Sequence, residues 1–185
     1  MYYNVIRIRS QYEVWVQENP GIYPRESGGH MELVFNRPNT AEEQICDPQD
    51  VIRRGRGRSQ TGAFYHNGYW NYNNDTGTIE IGFRPTIYLS NTLPPEELEQ
   101  VRVHEQGHLN DFLELTSELE AVIRGALEDG GTVTWEEMQL LWQWFNYDSC
   151  VDEGNYHRSI GQDARVCTPP EDSRPVWGDE SDAGE

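Results

Sequence analysis

VRVHEQGHLNDF, residues 101–112, holds two histidines four positions apart, with a glutamate directly after the first. On an α-helix such positions lie about 40° apart in rotation and about 6 Å apart along the axis, so His104 and His108 project side by side. Two imidazoles so placed can share a tetrahedral zinc ion. Glu105 is turned about 100° from His104, too far round to be a third ligand beside them. It can instead take a proton from a water in zinc's open position. The HExxH pattern therefore combines two metal ligands and a general base in one turn. The competing reading is a pair of core histidines satisfied by carboxylates, which requires a separate partner for each buried polar group.

The flanking sequence supplies the helix. Asn91 or Thr92 can cap, Pro94 and Pro95 suit a first turn, and Glu96 and Glu97 favour the positive helix end. The helix is predicted from about Pro95 to about Glu128, where Asp129-Gly130-Gly131 stops it. Val101, Phe112, Leu115, Leu119 and Val122 form an apolar stripe that shares a face with His104 and His108, so the imidazoles should point into the protein. Gly107 leaves room on one side. A second helix should start at Thr134, which stands in capping-box spacing with Glu137, and run to about Tyr147. Residues 148–167 read as irregular.

Residues 1–92 read as strands and turns. YNVIRI, YEVWVQ and MELVF are rich in β-branched and aromatic residues. GAFYHNGYWNYNNDTGTIEIGF reads as a meander, with Asn67-Gly68 as a tight turn between two aromatic strands and Asp75-Thr76-Gly77 as a second turn. TIYLS after Pro85 is a further strand, and RRGRGRSQTG, residues 53–62, reads as a loop. His30 and His66 look like ordinary loop or turn residues.

The metal needs a third ligand. A metzincin arrangement would need glycine and histidine where this chain has Asp111 and Glu114, so that class is rejected. If the second helix returns antiparallel from a turn near Gly131, position 154 lies level with His108. That brings YDSCVDEGNYH, residues 147–157, alongside, with Asp148, Asp152, Glu153 and His157 all candidates.

HEQGHLND, His104 to Asp111, and YDSCVDEG, Tyr147 to Gly154, resemble a bacterial domain of unknown function identified as predicted zinc-dependent proteases. Its members read HEQGHFD and, further on, YDxxTxHG. Tyr147, Asp148 and Gly154 match, while Val151 replaces threonine and Glu153 stands where the family has histidine. The resemblance covers about residues 86–157. It implies a gluzincin-like His-His-Glu site with Glu153 as third ligand, and His157 as the reserve. It further implies that Asp148 or Asp111 orients a ligand imidazole, and that Tyr147 or Tyr156 hydrogen-bonds the tetrahedral oxyanion.

Composition bounds these readings. At 185 residues the chain suits one domain, here residues 1–167, with 1–92 mainly β and 93–167 mainly α. Residues 168–185 are Pro-rich then acidic, and are expected to form a mobile tail. No apolar run reaches membrane-span length, and the start lacks a secretory signal, so the expected location is cytoplasmic or reached by a non-Sec export route. The formal charge is −18 and all 14 basic residues are arginine. Such a surface repels nucleic acid and anionic lipid. Arg53, Arg54, Arg56 and Arg58 form one basic cluster that could grip nucleic acid or pair with the chain's own acids. Cys150 and Cys167 could be bridged in an oxidising compartment, leaving Cys46 over.

The sequence thus predicts an α+β, zincin-like fold: an N-terminal antiparallel twisted sheet packed on a helical hairpin that carries the HExxH helix. The expected activity is Zn²⁺-dependent hydrolysis of a protein or peptide substrate, with Glu105 as base. The alternatives are an inactive zincin-fold binding module and a nucleic-acid binder using the Arg53–Arg58 loop.

Overall fold

The structure is a computed structural model that describes residues 31–54, 59–73, 75–128, 131–164 and 166–170. The predicted strands YNVIRI and YEVWVQ, His30, and the acidic end of the tail lie outside the described residues. The elements in order are β1 (Glu32–Asn36), β2 (Glu42–Cys46), α1 (Pro48–Arg54), β3 (Gly62–Tyr65), β4 (Gly68–Asn73), β5 (Thr78–Phe83), β6 (Thr86–Ser90), α2 (Pro95–Leu127) and α3 (Trp135–Ser159). The fold is α+β, with two small sheets and three helices among the described residues.

The sheets are mixed, not antiparallel as the sequence suggested. One has the order β1-β5-β4 and the other β2-β6-β3. In each, the first strand pairs parallel with the central one and the last pairs antiparallel. The central strand β6 is buried throughout, and β5 is buried at Ile79 and from Ile81 to Phe83, with Thr78 and Glu80 half-buried. Continuous hydrophobic sequence, without polar alternation, marks a strand covered on both faces.

Asn67-Gly68 does not close a hairpin. β3 pairs with β6 and β4 with β5, in one unbroken register: Gly62 faces Leu89 and Gly68 faces Phe83. β3 and β4 are therefore two halves of one long strand, laid against β5 and β6 as two halves of another. The interruption falls at His66-Asn67 opposite Arg84-Pro85, where the Arg84 N–H donates to the carbonyls of His66 and Asn67. Pro85 has no N–H to continue the ladder, and Asn67 takes a positive φ of 28°. The true hairpin end is Asp75-Thr76-Gly77, as its sequence predicts: Gly77 has φ 63° and Asn73 faces Thr78 across the turn.

Two other expectations are corrected. Arg53 and Arg54 close the short helix α1 and are not in a loop. Asp47 starts that helix: its Oδ1 accepts from the Gln49 N–H at 2.8 Å, and Pro48 sits in the first turn. The second long helix does not end near Tyr147 but runs to Ser159. Nothing between the two positions breaks a helix, since Gly154 lies mid-turn in a buried place.

α2 matches its predicted bounds, but neither Asn91 nor Thr92 caps it: the cap residue is Pro94, which makes no side-chain cap bond. The Thr134 hydroxyl accepts from the Glu137 N–H at 3.1 Å, and the Glu137 carboxylate accepts from the Thr134 N–H at 2.7 Å, completing the capping box. Leu109, Phe112, Leu115, Leu119 and Ile123 on α2 meet Met138, Leu141 and Phe145 on α3 over Ile79, Ile81 and Phe83 of β5. Burying each such side chain contributes about 1.5–3 kcal/mol. This three-layer contact fixes the helical hairpin against the sheets and so fixes the HExxH turn.

Candidate metal centre

His104, Glu105 and His108 lie in the third and fourth turns of α2. His108 is buried at 8% exposure, while His104 is half-buried. The His108 Nε2 lies 3.3 Å from His104 Nε2 and 3.1 Å from His157 Nε2. Ligands about 2.05 Å from a tetrahedral zinc stand about 3.3 Å from one another. Among the described residues, His104, His108 and His157 form a group whose ligand atoms all lie within 4.8 Å of each other. No other residue joins that group. The nitrogens are also free to ligate: burial, then the neighbouring rings of His104 and His157, pushes His108 down to about 3, so it is neutral at physiological pH. Burial and then His157 also lower His104.

His157 reaches this point because α3 continues past Tyr147. The antiparallel return brings position 157, one turn beyond the expected 154, beside His108. The connection between the helices is several residues long and not a point, which accounts for the offset. Glu153 lies one turn earlier on α3 and lines the same cleft, outside the imidazole group. Its charge raises Glu105. Asp152 and Asp111 also line the cleft, and Asp148 is buried within α3.

Glu105 is 5% exposed. Burial, and secondarily Glu153, pushes its carboxyl up to about 8 in the metal-free chain. Its place depends on Gly62 in β3: a Cβ there would stand 2.8 Å from Glu105 Oε1 and 2.3 Å from Val101 Cγ1. A side chain at position 62 would thus push the glutamate off the strand. Among the described residues β3 is an edge strand of its sheet, so the base sits beside a sheet edge. Burial, then Asp152 and Glu114, raises Asp111 to about 6.

The two tyrosines part company. Tyr147 lines the cleft. Tyr156 packs its ring against His108 and His104, with centroids 4.6 and 5.2 Å apart, and is not among the lining residues. Its hydroxyl fills the notch left by Gly107, where a Cβ would lie 2.3 Å from the oxygen. Phe64 stacks near His108 on the strand side, at 6.5 Å. His66, read as an ordinary turn residue, also lines the cleft and stacks on Phe112 at 5.0 Å.

The cleft measures about 1360 Å³. Its walls are β3 on one side and α3 on the other, and a third stretch closes it. Beyond Ser159, Gly161 turns the chain in a left-handed conformation, φ 77°. The Gln162 N–H donates to the His157 carbonyl at 2.8 Å and the Gly161 N–H to Arg158 at 3.1 Å, the paired bonds of a Schellman cap. The chain then returns along α3, and Cys167 is bonded to Cys150. Gln162, Asp163, Val166 and Thr168 of this strap line the cleft. Sequence reading missed it, although Gly161 after a Lys/Arg/His-bearing turn is a helix-stop signal.

The two described arginines of the basic cluster are engaged within the fold. Arg53 pairs with Asp50 at 2.5 Å, and Arg54 lies over the Tyr88 ring at 5.3 Å. Among the described residues no helix is long and apolar enough to cross a membrane. No family model, curated protein or solved structure matches this chain.

Proposed function

We propose that the chain is a zincin-like, zinc-dependent endopeptidase in which His104, His108 and His157 hold the metal and Glu105 is the general base. The observation that carries this reading is the convergence of three imidazoles, with His108 Nε2 3.3 and 3.1 Å from the Nε2 atoms of His104 and His157 and all three ligand atoms within 4.8 Å of one another, one turn from a buried carboxyl that opens on the same cleft. Three imidazole ligands leave a fourth position open, the donor set of a catalytic zinc and not of a closed structural one. Zinc, when bound, supplies Lewis-acid charge that acidifies water and polarises a carbonyl.

The chain's own residues supply the rest. The Glu105 carboxylate accepts the proton of the attacking water and returns it to the departing amine. Its burial keeps bulk water from competing for that proton. The edge of β3 can take an extended peptide as an added strand, which aligns a scissile bond along the cleft. Tyr147 lines the cleft, as does Tyr65, and in this reading it donates to developing charge. Tyr156 is instead a brace behind the imidazoles. His157 as third ligand replaces the glutamate of a gluzincin-like set.

The test is metal content together with cleavage. Wild type should bind one zinc and hydrolyse an unfolded protein substrate; Glu105→Gln should keep the zinc and lose hydrolysis. Cleavage retained in that variant removes Glu105 from the mechanism. One zinc with no hydrolysis and no hydroxamate binding would favour an inactive binding module.

A further inference from the structure

The strap has no part in holding the metal, yet its placement is over-determined. Its near end is tied by backbone hydrogen bonds to His157 and Arg158. Its far end is tied by Cys167 to Cys150. Cys150 precedes His157 by two helical turns, so it lies on nearly the same face of α3, about 10 Å away along the axis. The strap therefore leads back toward Cys150 on α3, and Gln162, Asp163, Val166 and Thr168 line the same cleft as β3 and the imidazole group. Val166 is 90% exposed, an apolar side chain held at the rim without a packing partner of its own.

Residues 162–164 and 166–168 form no helix or strand. The closure that fixes their far end is covalent.

We propose that the strap is the second wall of a peptide-binding groove and that the Cys150–Cys167 disulfide makes this wall, and hence substrate affinity, dependent on redox state. This rests on the metallopeptidase reading. Attack of a dithiol on the disulfide passes two electrons and two protons to the sulfurs, giving two cysteine thiols and the cyclic disulfide of the reductant. The Schellman cap stays, so α3 and His157 stay; only the far end of the strap is released. The ligand class is an extended peptide seated between the β3 edge and the strap, while a ligand small enough to touch only the metal is indifferent to the strap.

The experiment compares two hydroxamates on zinc-loaded protein. Acetohydroxamate reaches the metal alone, and a peptidyl hydroxamate with apolar residues on both sides also touches the walls. In the oxidised wild type both should bind. Reduction with dithiothreitol, or the Cys150→Ser/Cys167→Ser variant, should weaken the peptidyl compound about tenfold and leave acetohydroxamate unchanged. The variant should not respond further to reductant. A second variant, Asp163→Ala/Val166→Ala, keeps the disulfide and should shift peptidyl affinity in the oxidised protein. Equal peptidyl affinity in oxidised and reduced protein overturns the redox wall while leaving the metal site standing. Failure of both hydroxamates to bind oxidised wild type overturns the metallopeptidase reading and this inference with it.

Discussion

Glu105 imposes a stability cost on the metal-free chain that a single substitution should lift. Its carboxyl is raised from 4.5 to about 8, first by burial and then by Glu153. An acid with a raised folded-state value costs nothing below pH 4.5, where folded and unfolded chains both hold the proton. Between 4.5 and about 8 the folded chain keeps a proton that the unfolded chain has lost, so stability falls by about 1.4 kcal/mol per pH unit. At pH 7 the accumulated loss is about 3 kcal/mol. Glu105→Gln removes the titration and retains the volume. Its buried amide needs partners of its own, which takes back part of the gain, leaving about 2 kcal/mol. For a chain of this size that corresponds to a Tm rise of about 4–8 °C at pH 7. The assay is thermal unfolding of chelator-stripped wild type and variant from pH 4 to 8. At pH 4 the variant should be the less stable by about 1 kcal/mol, the cost of its amide, and the difference should change sign and widen in its favour up to about pH 8. Parallel curves across that range would refute the burial argument, because every other titrating group is common to both proteins.

Glu153→Ala should keep zinc at one equivalent and His157→Ala should lose it, read by elemental analysis; the opposite result would return the third ligand to Glu153. Gly107→Ala places a methyl 2.3 Å from the Tyr156 hydroxyl, so it should cost about 1–3 kcal/mol in urea unfolding and weaken zinc in a chelator competition. Tyr156→Phe, which removes only the oxygen, should leave zinc affinity close to wild type, and a large loss there would mean that the phenol contacts the metal. Thr134→Ala breaks the capping box and should cost about 1 kcal/mol without altering zinc content.

The helical half was legible where local chemistry decides structure. Pro95, Thr134 and Glu137 act through neighbours three or four residues away, and both helix starts follow from them. The apolar stripe of α2 likewise matches its buried face. What failed was long-range. Asn67-Gly68 has turn chemistry, yet Gly68 is claimed by β5 across the sheet and the local preference survives only as a kink. The parallel pairing of β1 and β2 leaves no mark in sequence beyond the buried runs of their partners. β2, EEQIC, is so polar that it gives little strand signal, since one face is solvent-exposed at a sheet edge. In the site, His104, Glu105 and His108 come from one turn and were readable together. The third histidine depended on where α3 ends, and polar residues such as Asp148, Asp152 and Asn155 mask a helix whose core contacts have run out. Cys150 and Cys167 were the pair the sequence singled out for an oxidising compartment, and the fold brings their sulfurs together.

The kinked ribbon has a consequence for how the cleft can be altered. One half, β4 with β5, is bolted into the aromatic and aliphatic interior; the other, β3 with β6, carries the lip beside Glu105. Because the register runs through the bend unshifted, the crease at Pro85 works as a fixed elbow joint between an anchored forearm and the hand that holds the base. Changing the angle of that elbow would resize the opening without replacing any residue that faces it.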